Sequence, residues 1–110
     1  MNKYCLACDL KDDEQLINEY KDYHRSVWPE VLDSITGSGI TSMDIYNVGN
    51  RLFMIMETND NFSFEQKAAS DRINETVVKW EQLMWNYQQA LPLAKPGEKW
   101  ILMEKIFSLR

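Results

Sequence analysis

The chain has 110 residues, of which 45% are hydrophobic and 26% are charged, and its formal net charge is −5. These proportions are those of an ordinary globular protein and exclude disordered and collagen-like chains. The negative charge and the scattered Lys and Arg residues argue against the basic surface that nucleic-acid binding needs. We expect one domain over residues 1–110, since a chain of this length can bury about two-thirds of its unfolded surface.

The chain has no signal-peptide pattern and no apolar run of about 18 residues, so we predict a cytoplasmic protein that does not contact a membrane. Cys5 and Cys8 form a C-x-x-C pair within a strand-like run, where residues three apart point to opposite faces. One histidine and two cysteines are too few for a structural zinc site, which needs about four ligands. We therefore predict two buried thiols, and neither a metal nor a cofactor.

The first half of the chain predicts a strand, two helices and a β-hairpin. Asp12 or Asp13 is the expected N-cap of the first helix, and Pro29 suits the first turn of the second. Gly49-Asn50 is typical of a two-residue hairpin loop, which pairs Val48 with Arg51. The predicted bounds are 3–10 for the strand, 13–25 and 29–37 for the helices, and 40–48 and 51–58 for the hairpin strands.

Alternation along the hairpin predicts two faces of different character. One is apolar and is the natural seat for helices: Met43, Ile45, Leu52, Met54 and Met56. The other is mixed: Ser42, Asp44, Tyr46, Phe53, Ile55 and Glu57. The mixed face is too apolar for free solvent and too polar for a core, which indicates a contact with a second subunit or the wall of a cavity.

The second half of the chain predicts two helices, a loop and a strand. The bounds are 63–70 and 72–90 for the helices, 93–99 for the loop and 100–109 for the strand. This order predicts an α+β protein of the ferredoxin-like type, a four-stranded antiparallel sheet with helices on one face. Because the helices cover only one face, we expect a homodimer that joins two sheets.

His24 is the only histidine in the chain, and Tyr20 lies one helical turn before it on the apolar side of the first helix. A lone histidine on an apolar face is more often a core residue than a catalyst. The alternative is an acid or base, assisted by Tyr20, that acts on a small neutral substrate near neutral pH. Trp80, with Glu81 beside it, would suit a ligand with an apolar face, such as a sugar.

Four segments together resemble the L-rhamnose mutarotase family, which also includes members thought to act on L-fucose. Their sequences are EYKDYHRSVWPEV, SMDIYNVGNRLFMIME, KWEQLMWNYQQALP and GEKWILMEKIF. The most specific part is Y-x-x-x-H-x-x-x-W-P-E, and the resemblance extends over essentially the whole chain. It implies a dimeric α+β barrel of ferredoxin-like subunits that interconverts the α and β anomers of a 6-deoxyhexose without metal or cofactor.

The resemblance also implies roles for individual residues. The catalytic proton donor of the family falls on His24, and two substrate contacts fall on Tyr20 and Trp80. Two substrate-binding positions differ from the rhamnose pattern: Met43 replaces a tyrosine, and Glu81 replaces a second tryptophan. These changes can alter contacts with the sugar hydroxyls, and we lean toward L-fucose over L-rhamnose.

Two other functions are compatible with the same fold, since a fold does not determine a function. One is a dimeric-barrel enzyme of the monooxygenase or haem-degrading type, with His24 near an apolar pocket. The other is a non-catalytic sugar-binding or purely structural dimer in which His24 is part of the core.

Overall fold

The computed structural model describes residues 1–109 and contains an antiparallel sheet and four helices. In chain order the elements are β1 (Asn2–Leu10), α1 (Glu14–Tyr23), α2 (Pro29–Gly37), β2 (Ile40–Val48), β3 (Arg51–Thr58), α3 (Phe64–Arg72), α4 (Glu75–Trp85), β4 (Gln88–Gln89) and β5 (Ile101–Leu102). This arrangement confirms the predicted ferredoxin-like α+β fold.

Local signals determine where the first two helices begin. Asp13 caps α1, because its side-chain oxygen accepts a hydrogen bond from the Leu16 N–H at 3.1 Å. Pro29 occupies the first turn of α2, as predicted. His24 is the C-cap residue of α1 and keeps a helical backbone conformation. It therefore lies one turn beyond Tyr20 on the same side of the helix.

The hairpin has the predicted register. Val48 pairs with Arg51 and Met43 pairs with Met56, with one irregularity between Ile40 and Ser42. The strand order is β2-β3-β1-β4, and β5 also pairs with β1. The N-terminal strand therefore lies between the hairpin and two short strands from the end of the chain.

The predicted helix at 72–90 and final strand at 100–109 are wrong in their bounds. The last helix, α4, ends at Trp85, and Gln88 then pairs with Leu10 of β1. The helical spacing extends too far because Tyr87 is buried although the helix has already ended. The short strands β4 and β5 share the free edge of β1, and residues 103–109, which follow β5, form no regular structure and are exposed.

The two predicted faces of the hairpin differ in burial as expected. On the face that carries the helices, Leu52 and Met56 are buried with 1% and 3% of their surface exposed. On the other, which we call the open face, Asp44 and Tyr46 are exposed and Phe53 is half-buried. The open face consists of Ser42, Asp44, Tyr46, Phe53, Ile55 and Glu57. Helices and core therefore lie on one side of the sheet.

The two cysteines lie on opposite faces of β1, as predicted. Cys8 is buried toward the helices, and burial raises its pKa to about 12, which keeps the thiol protonated and unreactive. Cys5 pairs with Ile55 of the open face and is only half-buried, so the prediction of two buried thiols is wrong for Cys5.

In the part of the chain that the structure describes, no helix is both long enough and apolar enough to cross a membrane. No group of three or more His, Cys, Asp or Glu side chains in residues 1–109 is arranged to hold a metal ion.

Candidate active site

A cavity of about 720 Å³ lies between the helices and the apolar face of the sheet. A volume of this size suits a small molecule. All five residues that the sequence marks as site candidates line it: Tyr20, His24, Met43, Trp80 and Glu81. The fold thus brings together side chains from α1, β2 and α4 around one space.

The hydrogen bonding of His24 determines which nitrogen can accept a proton. Nδ1 lies 2.9 Å from the backbone carbonyl oxygen of Tyr20. Because a carbonyl oxygen can only accept, Nδ1 carries the hydrogen and donates it. The neutral ring then has its lone pair on Nε2, to which no described residue forms a hydrogen bond. Nε2 is therefore the nitrogen that can exchange a proton with a bound molecule.

Burial keeps this imidazole neutral near pH 7. Desolvation lowers the pKa of His24 below its ordinary value of 6.5, and the hydrogen bond to the Tyr20 carbonyl opposes this shift without cancelling it. The neutral form therefore predominates at neutral pH, and its Nε2 can accept a proton.

Tyr20 supports His24 and also provides a hydroxyl group. Its ring packs on the imidazole with the ring centroids 4.3 Å apart, and only 4% of the residue is exposed. Burial raises the pKa of Tyr20 well above its ordinary value of 10, so the phenol keeps its proton. The phenol oxygen accepts a hydrogen bond from Gln88 Nε2 at 3.2 Å.

Trp80 also packs against the imidazole. Its ring meets His24 edge-on, with centroids 5.7 Å apart, and meets Trp28 in the same way at 5.1 Å. Only 5% of Trp80 is exposed, so protein covers most of the ring. Trp80 therefore packs against His24 and offers only a small part of its ring to the cavity.

Met43 and Glu81 give the cavity two walls of different polarity. Met43 is half-buried and packs against a cluster that includes Met54 and Met56. The Glu81 side chain is 49% exposed and forms an ion pair with Lys99, whose side chain is only 9% exposed. Because the Glu81 carboxylate is paired with an ammonium group, His24 is the better candidate for the base.

Gln88 and Lys99 are two of the cavity-lining residues that the sequence did not mark as site candidates. Gln88 lay within the predicted 72–90 helix, and Lys99 lay in the predicted loop. Both reach the site through the path of the chain after α4. Both lie within segments that resemble the family, but no periodic stripe or local chemical signal marks either of them as a site residue.

The fold and the cavity define a class of protein: a ferredoxin-like α+β protein with a cavity of small-molecule size between its helices and its sheet. The chain belongs to the L-rhamnose mutarotase family, since the family model described as L-rhamnose mutarotase matches residues 3–109. It is 41% identical to an L-fucose mutarotase of Xanthomonas campestris, an alignment that covers 99% of this chain and 89% of the relative. It is also 36% identical to a UPF0734 protein of Dictyostelium discoideum, covering 96% of this chain and 88% of that protein.

Solved structures show the same fold. The crystal structure of an L-rhamnose mutarotase from Formosa agariphila matches with a TM-score of 0.72, 21% identity and complete coverage of both chains. A dimeric ferredoxin-like protein from an uncultured marine organism matches with a TM-score of 0.54 and 11% identity, over 84% of this chain and 95% of that chain. L-Fucose and L-rhamnose mutarotases are carbohydrate isomerases, so the predicted family and enzyme class are confirmed.

Proposed function

We propose that this protein interconverts the α and β anomers of L-fucose, with His24 as the group that transfers the proton. The observation that carries this proposal is the state of His24: a neutral imidazole in the wall of the cavity, with Nδ1 bonded to a carbonyl and Nε2 free to accept a proton. The choice of L-fucose is supported by the relative described as an L-fucose mutarotase, which is 41% identical over almost the whole chain. L-Rhamnose is the second candidate.

Mutarotation requires one proton to leave the anomeric hydroxyl and one to reach the ring oxygen. In the proposed step, His24 Nε2 takes the hydroxyl proton as the C1–ring oxygen bond breaks and the C1 carbonyl forms. The resulting imidazolium then returns that proton to the ring oxygen. Both oxygens are bonded to the same carbon, so one nitrogen can serve both. Closure on the opposite face of the carbonyl reverses these transfers and yields the other anomer.

The other site residues contribute binding and orientation in this proposal. Tyr20 offers its hydroxyl to the sugar without losing its proton, because burial raises its pKa. Met43 and the small accessible part of Trp80 provide apolar surface, and the Glu81–Lys99 pair offers charged hydrogen-bonding groups at the exposed side of the cavity. The family assignment favours this function over a monooxygenase-type enzyme or a non-catalytic dimer.

Magnetisation exchange between the anomeric protons tests the proposal directly. We expect the purified protein to accelerate α–β exchange of L-fucose more than that of L-rhamnose, both measured by NMR at the same sugar concentration. Acceleration of L-rhamnose alone would overturn the choice of sugar. Exchange of both sugars at the rates measured without protein would overturn the proposed activity.

The rate should depend on pH through His24. Because burial lowers the pKa of His24, the neutral base predominates above pH 6.5, and activity should fall only as the pH drops through the lower pKa of the folded protein. The free energy of unfolding should also fall as the pH drops below 6.5, because His24 binds a proton more readily in the unfolded chain than in the folded one. The measurement is the enzyme-catalysed exchange rate from pH 4.5 to 8, corrected for the uncatalysed rate. A midpoint above 6.5 would contradict the role of a buried neutral His24.

We also propose that two copies of this chain associate through their open faces. The open face exposes Tyr46, and the same side of β2 exposes Val48, with 57% and 77% of these residues accessible. Three apolar residues after β5 are also strongly exposed: Ile106, Phe107 and Leu109. Tyr46 and Val48 are neighbours on this side of the sheet, and apolar side chains exposed side by side are typical of an interface. A neighbour of the same fold is described as dimeric.

Light scattering during gel filtration tests the homodimer. The expected mass is twice the chain mass of 13.0 kDa. The double substitution Tyr46→Lys with Val48→Lys should shift the mass toward the monomer, because it places like charges across the contact. Ile73→Lys is the matched control, since Ile73 is also apolar and 85% exposed but lies at the end of α3. A monomeric wild type, or equal effects of both changes, would contradict this interface.

A further inference from the structure

We infer that Gln88 is a positioning residue that directs the hydroxyl hydrogen of Tyr20 into the cavity, and so determines which sugar oxygen Tyr20 recognises. This inference rests on the proposed mutarotase function and adds to it a residue that controls substrate specificity.

The hydrogen bonding of the Gln88 amide is incomplete. Gln88 is 3% exposed, and its Nε2 donates to the Tyr20 phenol oxygen at 3.2 Å. Its Oε1 is also buried but has no hydrogen-bond partner within residues 1–109. Buried polar atoms are nearly always paired, and an unpaired buried acceptor is costly. A methionine of similar size would fill this space without that cost, so packing alone does not explain a glutamine here.

The bond from Gln88 gives the Tyr20 hydroxyl a direction. A phenol has one hydrogen to donate and lone pairs that accept. Because Gln88 donates to the oxygen, the hydrogen of Tyr20 is left for another acceptor, and none of the described residues accepts it. Burial raises the pKa of Tyr20, so this hydrogen is retained at neutral pH. Tyr20 lines the cavity and therefore presents a donor to a bound sugar.

The orientation of the amide decides the polarity of this contact. If the amide carbonyl faced Tyr20, it would accept the phenol hydrogen, and Tyr20 would offer only lone pairs to the sugar. The 6-deoxyhexoses L-fucose and L-rhamnose differ in the directions of their hydroxyl groups. A buried donor with a defined direction discriminates strongly between such sugars, because a mismatched sugar leaves the donor unpaired.

The experiment is a double-mutant cycle that measures kcat/KM for anomer exchange of L-fucose and of L-rhamnose. Gln88→Met keeps the volume but removes the donor, and we expect it to lower kcat/KM for the preferred sugar about tenfold, on the scale of one lost hydrogen bond. It should also reduce the preference between the two sugars. In the Tyr20→Phe background the same change should have less than a twofold effect, because there is no hydroxyl to orient.

Gln89→Met is the matched control, since Gln89 is the exposed neighbour in the two-residue strand β4. It should change kcat/KM by less than twofold. Thermal unfolding of every variant separates loss of stability from loss of orientation, and the kinetics are measured at a temperature where all variants are folded.

Several outcomes are distinguishable. If Gln88→Met lowers kcat/KM equally with and without the Tyr20 hydroxyl, or leaves the sugar preference unchanged, Gln88 is structural and the inference is wrong. If the wild type accelerates neither sugar, the proposed function itself fails, and this inference fails with it. If the wild type is active but the effects of Gln88→Met and Tyr20→Phe are additive, only this inference is wrong and the proposed function stands.

Discussion

Replacing His24 with asparagine is expected to slow protein-catalysed exchange of the L-fucose anomers by about 10²–10⁴-fold, the usual contribution of one general acid or base. Asparagine retains a side-chain N–H donor, but it has no nitrogen that exchanges a proton near neutral pH. The Nε2 atom, which no described residue engages, disappears while the surrounding rings of Tyr20 and Trp80 remain. Binding of the sugar should change less than turnover, so the loss should appear mainly in kcat.

The measurement is the exchange rate by NMR together with circular dichroism and thermal unfolding. Arg25→Asn is the matched control, because Arg25 is adjacent in the chain but its side chain is 79% exposed and pairs with the exposed Asp22. The control should retain at least half of the wild-type rate. A His24→Asn variant that keeps its activity but unfolds at a markedly lower temperature would show that His24 is a core residue and not a catalyst.

Replacing Trp80 with alanine is expected to lower the free energy of unfolding by about 3–5 kcal/mol, the usual cost of removing a large buried aromatic side chain. Trp80 belongs to the main core cluster with Leu10, Leu52 and Met84, and its ring contacts the edges or faces of three other aromatic rings. The substitution leaves a cavity in the core and also removes one of the two rings that pack against His24. Activity should therefore fall even in the fraction of molecules that remain folded.

Urea denaturation followed by circular dichroism measures this loss. Trp85→Ala provides a control within the same helix, because it deletes the same side chain where 38% of the residue is exposed. It should cost clearly less than Trp80→Ala, since less apolar surface leaves a buried environment. Equal losses in the two variants would contradict the central position assigned to Trp80 in the core and beside His24.

Those features of the fold that depend on neighbours in the chain could be predicted from the sequence. The cap at Asp13, Pro29 in the first turn of α2, and the hairpin around Gly49-Asn50 each involve groups within a few residues of one another. The register of the hairpin follows from the length of its loop, and alternation then assigns residues to its two faces. The pairing of Tyr20 with His24 was predictable for the same reason, because residues four apart share one side of a helix.

The rest of the site depended on contacts between distant segments. Gln88 lies 68 positions after Tyr20, and it reaches the phenol only because β4 occupies part of the free edge of β1. Lys99 reaches Glu81 through the loop that leads to β5. The resemblance to a family indicated Met43 and Glu81, but only the structure shows that they line the same cavity as His24.

The sequence by itself therefore determined the order of elements, the hairpin register and the His24–Tyr20 pair, because interactions within one helical turn or one short loop are sufficient for each. Tertiary structure alone decided where α4 ends, that two short strands share one edge of β1, and that a half-satisfied Gln88 meets Tyr20. These features depend on which distant segments occupy the free edge of β1 and the buried space beside it. A local pattern of residues does not contain that information.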